Sequence, residues 1–133
     1  MKDDIVLNFF HICDYASFAE RGKLNILGIF ENINPKTIPY THPQMYVVCS
    51  IFLKKSGNFK ETIKIIDENN TEISKLEFPV EIKIPDDKKK ATLGVFTQFN
   101  NVKFEKFGNY KVQVLLGSDI VAEQDLRVLE NPQ

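Results

Sequence analysis

Two histidines and two cysteines are the side chains best suited to metal or nucleophilic chemistry. His11 and Cys13 lie two residues apart and are followed by Asp14. Residues two apart on a β-strand point to the same side, so His11 and Cys13 could share a metal ion or form a thiolate–imidazole pair. A zinc site needs third and fourth ligands, and the one other histidine is His42. We therefore expect no metal and no cofactor, and interpret the pair as buried strand residues.

Other forms of catalysis find equally little support in the sequence. Cys49 lies in the most apolar run of the chain, where burial raises a thiol's pKa and suppresses its reactivity. We expect both cysteines to be buried, reduced thiols, although a disulfide between Cys13 and Cys49 stays open. The acidic pairs Asp67-Glu68 and Asp86-Asp87 fall at predicted turns, whereas general acid–base catalysis needs carboxylates held in a cleft. The glycines form no phosphate-binding loop.

Charge and hydropathy argue against two classes of partner. The net charge is −1, and fifteen lysines stand against two arginines, although arginine is the residue that best recognises phosphates and bases. The basic run 88–90 directly follows two aspartates, which cancel much of its charge. No apolar run approaches the ~20 residues of a membrane span, and the first residues do not read as a signal peptide. We expect a cytoplasmic protein that binds neither nucleic acid nor membrane.

Short β-rich runs separated by Gly, Asn and Pro fill the chain, whose length of 133 residues fits a single domain over residues 1–133. Eight runs are predicted to be strands, namely 5–13, 24–33, 45–53, 62–67, 75–84, 91–99, 110–116 and 120–128. Only residues 14–21 compete as a helix, of one or two turns at most. This pattern predicts an all-β protein.

The run from Lys75 to Ile84 alternates most strictly between apolar and polar residues. The alternation predicts one face in the core, with Phe78, Val80 and Ile82 buried. Pro79 lies on the polar face, and because proline cannot donate to the ladder it marks an edge strand or a bulge. The run 45–53 is apolar on both faces and is predicted to be a central strand covered on both sides.

Eight strands with short connections favour a two-layer antiparallel β-sandwich, with a closed β-barrel as the alternative. The segment 107–110, Phe-Gly-Asn-Tyr, resembles the tyrosine corner of immunoglobulin-like sandwiches, in which the Tyr hydroxyl bonds to upstream backbone. We therefore favour an immunoglobulin-like topology.

Several stretches together resemble one protein family. They are Cys13-Asp14, the run 22–33 (GKLNILGIFENI), His42-Pro43, the segment 107–110 and the closing hairpin. In this order they are similar to an uncharacterised prokaryotic family of small proteins, known only as a domain of unknown function, over most of residues 8–129. The resemblance implies a stand-alone prokaryotic β-sandwich with no assigned activity and no catalytic residues to transfer.

The proline-rich stretch 34–43 is the most distinctive loop. Its three prolines stiffen the chain, which lowers the entropy lost on binding and suits a recognition loop. The alternative is a crossover between sheets, with Ile38 and Tyr40 packed on the core. If successive strands alternate in direction, loops 34–43, 68–71 and 100–109 share one end, and loops 16–23, 55–59, 85–90 and 117–119 share the other. The predicted binding residues at the first end are Tyr40, His42, Asn69, Asn70 and Asn101.

The sequence supports a non-enzymatic binding or protein-interaction module, whose partner would be a protein or a polar organic ligand. One alternative is an enzyme whose site is assembled from loops. A second is a structural subunit of a larger, phage- or defence-related assembly. The oligomeric state is left open.

Overall fold

Nine strands, formed by the β-branched and aromatic runs, make up the computed structural model, which describes residues 4–131. They are β1 (Ile5–Phe18), β2 (Leu24–Ile29), β3 (Asn32–Ile33), β4 (Tyr40–Leu53), β5 (Gly57–Ile66), β6 (Glu72–Ile82), β7 (Ala91–Phe104), β8 (Gly108–Leu116) and β9 (Asp119–Val128). Strands account for 70% of the residues that the structure describes, which confirms the all-β prediction.

The strands form two sheets that do not close into a barrel. One has four strands in the order β2-β1-β4-β7, and the other has five in the order β3-β9-β8-β5-β6. All neighbours are antiparallel except β3 and β9, which run parallel. The main core fills the space between the sheets with almost entirely apolar side chains, among them Val47, Ile63, Val112 and Leu126. The β-sandwich prediction is confirmed, and the barrel is excluded.

The predicted burial of both faces of strand 45–53 is correct. Met45, Val47 and Ile51 on the inner face of β4 are fully buried in the main core. Tyr46 and Val48 on its outer face are also buried, in a second and smaller apolar cluster. The outer cluster requires a cover that lies outside the two-layer sandwich.

That cover is the β1–β2 hairpin. The first part of β1 pairs with β4 as far as Cys13, and its last part pairs only with β2. Ala16 of the hairpin, together with Leu24 and Ile26, packs against the outer cluster on β4. The helix predicted for residues 14–21 is therefore wrong, because residues 14–18 belong to strand β1. A single 3₁₀ turn spans Glu20–Gly22.

The predicted strand 24–33 is split between the two sheets. β2 belongs to the four-stranded sheet, Phe30 and Glu31 cross over, and β3 pairs with β9 in the five-stranded sheet. Residues 34–39 then return the chain to β4, so the proline-rich stretch is a crossover between sheets. Tyr40 begins β4 half-buried and packs against the main core, as the crossover alternative anticipates.

The position of β6 confirms one prediction and corrects another. β6 is an edge strand, as Pro79 on its polar face suggests. Ile82 is buried and Val80 is half-buried against the core, but Phe78 is 43% exposed, so its predicted burial is wrong. Phe78 pairs with Glu61 on β5. β6 has no neighbouring strand on its outer side. Alternation therefore directs its apolar side chains towards one face, but no adjacent strand covers them there.

Two of the turns show the predicted chemistry. In the β5–β6 turn Asn70 adopts a φ of 63°, and the Asp67 carboxylate accepts hydrogen bonds from the backbone N–H of Asn69 and Thr71 at 2.8 and 2.9 Å. Before β8 the Tyr110 hydroxyl donates to the carbonyl oxygen of Lys106 at 2.8 Å. This is the tyrosine corner that the segment 107–110 predicts.

Candidate functional site

A continuous row of four aromatic rings crosses the outer side of the four-stranded sheet. Tyr15 meets Tyr46 edge-on at 5.5 Å between ring centroids, Tyr46 meets Phe96 at 5.7 Å, and Phe96 meets Phe18 at 4.6 Å. Tyr46 is buried, but the other three are exposed: Tyr15 by 45%, Phe96 by 37% and Phe18 by 64%. We call these four residues the aromatic row.

Apolar side chains of the hairpin extend the exposed surface beside the aromatic row. Leu27 pairs with Tyr15 across the hairpin and is 59% exposed, and Ile29 on the same strand is 55% exposed. Of the large hydrophobic residues that are exposed in the described structure, most belong to β1, β2 and β7. Apolar surface gathered in this way, in contrast to scattered single residues, marks interaction sites.

The outer side of the five-stranded sheet has the opposite character. Lys60 and Glu77 form an ion pair at 2.8 Å across β5 and β6, and Lys111 and Glu123 form another at 3.3 Å across β8 and β9. In contrast, the outward residues of β4 and β7 between Gln44 and Phe52 and between Thr92 and Asn100 include no charged side chain. The two faces of the sandwich are therefore chemically distinct: one is built for hydration and the other for apolar contact.

The predicted binding residues Tyr40 and His42 lie together where the chain crosses between sheets. The Tyr40 hydroxyl and His42 Nδ1 share a hydrogen bond of 3.1 Å, and the Phe30 ring lies 5.8 Å from the imidazole. His42 Nε2 is buried and has no hydrogen-bond partner among the described residues.

Asp14 and Gly28 complete this crossover cluster. Gly28 has a φ of +69°, and a Cβ at this position would lie 2.5 Å from Asp14 Oδ2, so no larger residue fits there. Burial lowers the pKa of His42, while the Asp14 charge and a backbone hydrogen bond with Gln44 act in the opposite direction. Asp14, Gly28 and His42 all belong to the stretches that carry the family resemblance, so that resemblance reflects how the crossover is built.

Asn69, Asn70 and Asn101 are exposed and lie at the same end of the sandwich as Tyr40, but they do not join its cluster. Tyr40 pairs with Phe104 at the end of β7, which brings β4 and the β7–β8 loop together. Asn69 and Asn70 belong to the β5–β6 turn on the other sheet, and Asn101 bends β7 with a φ of 55°. Their role in binding stays a prediction.

A polar cleft separates the β5–β6 turn from the β7–β8 loop at this end. Asp67 and Lys106 lie 3.8 Å apart across it, and the Asn109 N–H donates to Glu68 Oε1 at 2.7 Å. The cleft has a volume of about 130 Å³ and Asn69 is part of its lining. The predicted loops 68–71 and 100–109 are therefore in direct contact through Glu68 and Asn109, as strand alternation predicts, although residues 100–104 and 108–109 are strand and not loop.

The grouping predicted for the other end holds less well. β1 starts beside Leu53, and its last residue, Phe18, reaches Phe96 in the middle of β7. The β1–β2 turn is therefore not at the end of the sandwich where residues 54–56 join β4 to β5. The error arises because the predicted strand 24–33 is two strands, β2 and β3, so the chain reverses direction once more before β4 than the prediction counted.

The two cysteines are free and buried on opposite faces of the four-stranded sheet. Cys13 belongs to the outer cluster and Cys49 to the main core. Burial, with the Glu61 charge adding to it, raises the pKa of Cys49 to about 12. Burial also raises the pKa of Cys13. Among residues 4–131 no three His, Cys, Asp or Glu side chains are grouped to hold a metal ion.

Glu61 is a feature that sequence reasoning missed. It lies on β5 in the same alternation as the core residues Ile63 and Ile65, and is 8% exposed. Its Oε2 is buried without a hydrogen-bond partner, and burial raises the pKa of its carboxyl group. The run 62–67 began one residue too late to include it. Had the alternation been continued backwards, Glu61 would have appeared on the core face.

The two sheets, their antiparallel order and the tyrosine corner define an immunoglobulin-like β-sandwich. Residues 8–129 match the family of unknown function DUF6941, and the chain belongs to this family. No helix within residues 4–131 has the length and apolar character to span a membrane. No curated protein matches the sequence.

Two solved structures resemble the fold at low sequence identity. An immunoglobulin-like protein from Pseudomonas aeruginosa is 13% identical, with 96% of this chain and 98% of that chain covered and a TM-score of 0.46. A glycosyl hydrolase family 2 member from Bacteroides cellulosilyticus DSM 14838 is 20% identical, with 68% of this chain covered and a TM-score of 0.39. The match spans only 13% of the hydrolase.

Proposed function

We propose that this protein is a non-enzymatic protein-interaction module that binds a partner through the aromatic row. The observation that carries the proposal is the contrast between the two outer faces of the sandwich. One face carries ion pairs, and the other exposes touching aromatic rings, with no charged side chain among the outward residues of β4 from Gln44 to Phe52 and of β7 from Thr92 to Asn100. Aromatic residues are enriched and charges depleted at the centres of protein interfaces.

The partner should present a largely apolar, weakly charged protein surface. A charged or strongly hydrated surface would lose its water against Phe18, Phe96 and Leu27 without a compensating ion pair. Phe18 and Leu27 are the most exposed large residues of this region, at 64% and 59%, and are the expected anchors. Tyr15 adds a hydroxyl group at the rim, where tyrosine can remain partly in contact with water.

The proposal is tested by affinity capture from the source organism, followed by titration of the purified partner. Phe18→Ser and Leu27→Ser should each weaken binding at least tenfold, the loss typical of an interface anchor. The matched controls Lys64→Ser and Lys111→Ser, on the charged face, should leave affinity unchanged. An equal loss of affinity in the apolar and the lysine variants, or a loss only in the lysine variants, would show that the binding site lies elsewhere.

A second candidate function is binding of a polar organic ligand at the Tyr40 end, favoured by the cleft between Asp67 and Lys106. This site would include Asn69 in the cleft lining, with Tyr40, His42, Asn70 and Asn101 around it. Paired carboxylate and ammonium groups suit a zwitterionic ligand.

A thermal-shift screen of amino acids and small peptides tests this candidate. A stabilising ligand should lose affinity in Asn69→Ala and in Asn101→Gly, which keeps the left-handed backbone. Lys89→Ala, in the β6–β7 connection, should bind it normally. A ligand that is insensitive to both asparagine variants would exclude this end.

We also propose a reducing, cytoplasmic and prokaryotic setting. Two free, buried cysteines support the compartment, because oxidising compartments favour paired cysteines in small domains. The prokaryotic origin rests on the family resemblance.

A further inference from the structure

The outer edge of β7 lacks the features that normally protect a sheet edge. β7 pairs with β4 on one side, and within residues 4–131 it makes no backbone pairing on the other. From Ala91 to Val102 the strand contains no charged residue and no proline. An unpaired edge of this kind is a template for another strand.

The other edge strands are each protected or short. β6 carries Pro79, and Lys75 and Glu77 form ion pairs along its surface. β3 is only two residues long, and β2 is six residues long with a left-handed glycine near its end. β7, with fourteen residues, is the longest edge left open; the side of β1 away from β4 lacks a paired strand only from Ile5 to His11, before the pairing with β2.

We propose that β7 is a self-pairing edge, at which a second copy of this chain adds its own β7 in antiparallel orientation. The two four-stranded sheets would then form one continuous sheet about a two-fold axis. The contact itself is made by the backbone edge of the strand, and because Phe96 belongs to β7 it would lie next to the partner surface of the aromatic row.

The chemistry of the edge favours a second copy over an unrelated strand. The segment is uncharged, and each chain has a net charge of only −1, so two copies meet without strong repulsion. An isologous contact also requires a surface that is complementary to itself.

The backbone sets the register of the pairing. β7 is regular from Ala91 until Asn101, where a φ of 55° bends the strand. The centre of this regular segment is Phe96, so Phe96 should lie opposite Phe96 of the second copy, and Gly94 opposite Gln98. The aromatic row of each copy would then meet the other across the axis.

The size of the contact predicts a weak dimer. The regular segment is about 36 Å long at about 3.3 Å per residue, and two edges about 10 Å thick bury on the order of 700 Å². Stable interfaces usually bury more than about 1,200 Å², and smaller ones are transient. We therefore expect a dissociation constant of roughly 10–1,000 μM.

Sedimentation equilibrium of the full chain over a wide concentration range is the first test. We expect a reversible monomer–dimer equilibrium. The double variant Gly94→Lys/Gln98→Lys places like charges opposite each other in the proposed register, and should weaken dimerisation at least tenfold. Gly94 is suitable because a Cβ there meets no atom within 4 Å. A wild-type chain that stays monomeric at millimolar concentration would overturn the proposal.

A charge swap tests the register and distinguishes this contact from association through the aromatic row. The lysine double variant mixed with Gly94→Glu/Gln98→Glu should form a heterodimer, although each alone is monomeric. Phe96→Cys should give a disulfide-linked dimer on mild oxidation, whereas Phe78→Cys on β6 should not. A dimer that persists in the lysine variant would assign association to another surface and reject the β7 edge.

Discussion

The rings of Phe18 and Phe96 lie 4.6 Å apart at their centroids, with planes inclined by 30°, although their residues belong to strands that are not neighbours in the sheet. Phe18 ends β1, and Phe96 lies in the middle of β7. Their contact holds the β1–β2 hairpin over the sheet and keeps Tyr46 covered. The same pair therefore contributes both to the stability of the hairpin and to the exposed aromatic surface.

A double-mutant cycle on Phe18 and Phe96 should detect this contact. We expect a coupling free energy of about 1 kcal/mol between Phe18→Ala and Phe96→Ala, the usual strength of an aromatic pair. Urea unfolding of the four proteins measures it. A cycle on Phe18 and the distant Phe78 should be additive, and additivity in the first cycle would show that the hairpin is held by other contacts.

Glu61→Gln should stabilise the protein at neutral pH. The pKa of Glu61 is raised by burial above its ordinary 4.5, so the folded state retains a proton that the unfolded state releases. This contribution to stability is complete below pH 4.5 and is lost as the pH rises through the folded pKa.

The difference between Glu61→Gln and wild type should therefore be about 1–3 kcal/mol at pH 7.5 and should shrink towards pH 4.5. Urea midpoints across this range measure it. The exposed Glu81→Gln is the control and should follow the wild-type pH dependence. A Glu61→Gln variant that is less stable than wild type at pH 7.5 would mean that the carboxylate is stabilised by its surroundings.

His42 should make the protein less stable in mild acid. Its pKa is lowered by burial from the ordinary 6.5, so below pH 6.5 the unfolded chain binds a proton that the folded protein excludes. The contribution of neutral His42 is complete above pH 6.5 and is lost as the pH falls towards the folded pKa. Asp14 opposes the shift, and Asp14→Asn should deepen the loss.

Thermal unfolding between pH 7.5 and pH 5.5 tests the role of His42. His42→Gln should flatten the curve in this window relative to wild type, and His11→Gln provides the matched control. Because Glu61 acts with the opposite sign, the His42 term is best isolated in the Glu61→Gln background. A curve that is identical in wild type and His42→Gln would contradict the prediction.

Burial along β6 predicts that alanine substitutions at Ile82 and Phe78 lower the free energy of unfolding by different amounts. Simple alternation does not predict this difference. Ile82→Ala should cost about 2–5 kcal/mol, because Ile82 is 5% exposed and its removal leaves a cavity. Phe78→Ala should cost about 1 kcal/mol, since its ring remains 43% in contact with water. Denaturant unfolding compares them. A larger loss of stability in Phe78→Ala than in Ile82→Ala would show that Phe78 is a core residue, as alternation alone suggests.

The sequence was sufficient to predict features that depend on local chemistry. Pro79 located an edge strand because proline lacks a donor, Asn70 located a turn because asparagine tolerates positive φ, and the segment before Tyr110 located a corner. Each of these signals is carried by one or a few neighbouring residues. The sandwich followed from the number and spacing of the apolar runs.

Features that depend on distant contacts could not be predicted in the same way. Nothing local to Asp14 shows that β1 leaves β4 there, where the Asp14 carboxylate lies against Gly28 and the hairpin covers an apolar cluster on β4. The aromatic row joins residues 15, 18, 46 and 96, and only the folded chain brings them together. The predicted binding residues share one end because strand direction alternates, but alternation cannot say which side chains meet.

The parallel pairing of β3 with β9 has a consequence for how the protein is made. It joins Asn32 and Ile33 to Arg127 and Val128 of β9, which are synthesised much later. During synthesis β3 must wait for about 95 further residues, which take roughly 5–20 s at ordinary elongation rates. The five-stranded sheet therefore cannot be completed until β9 has been synthesised.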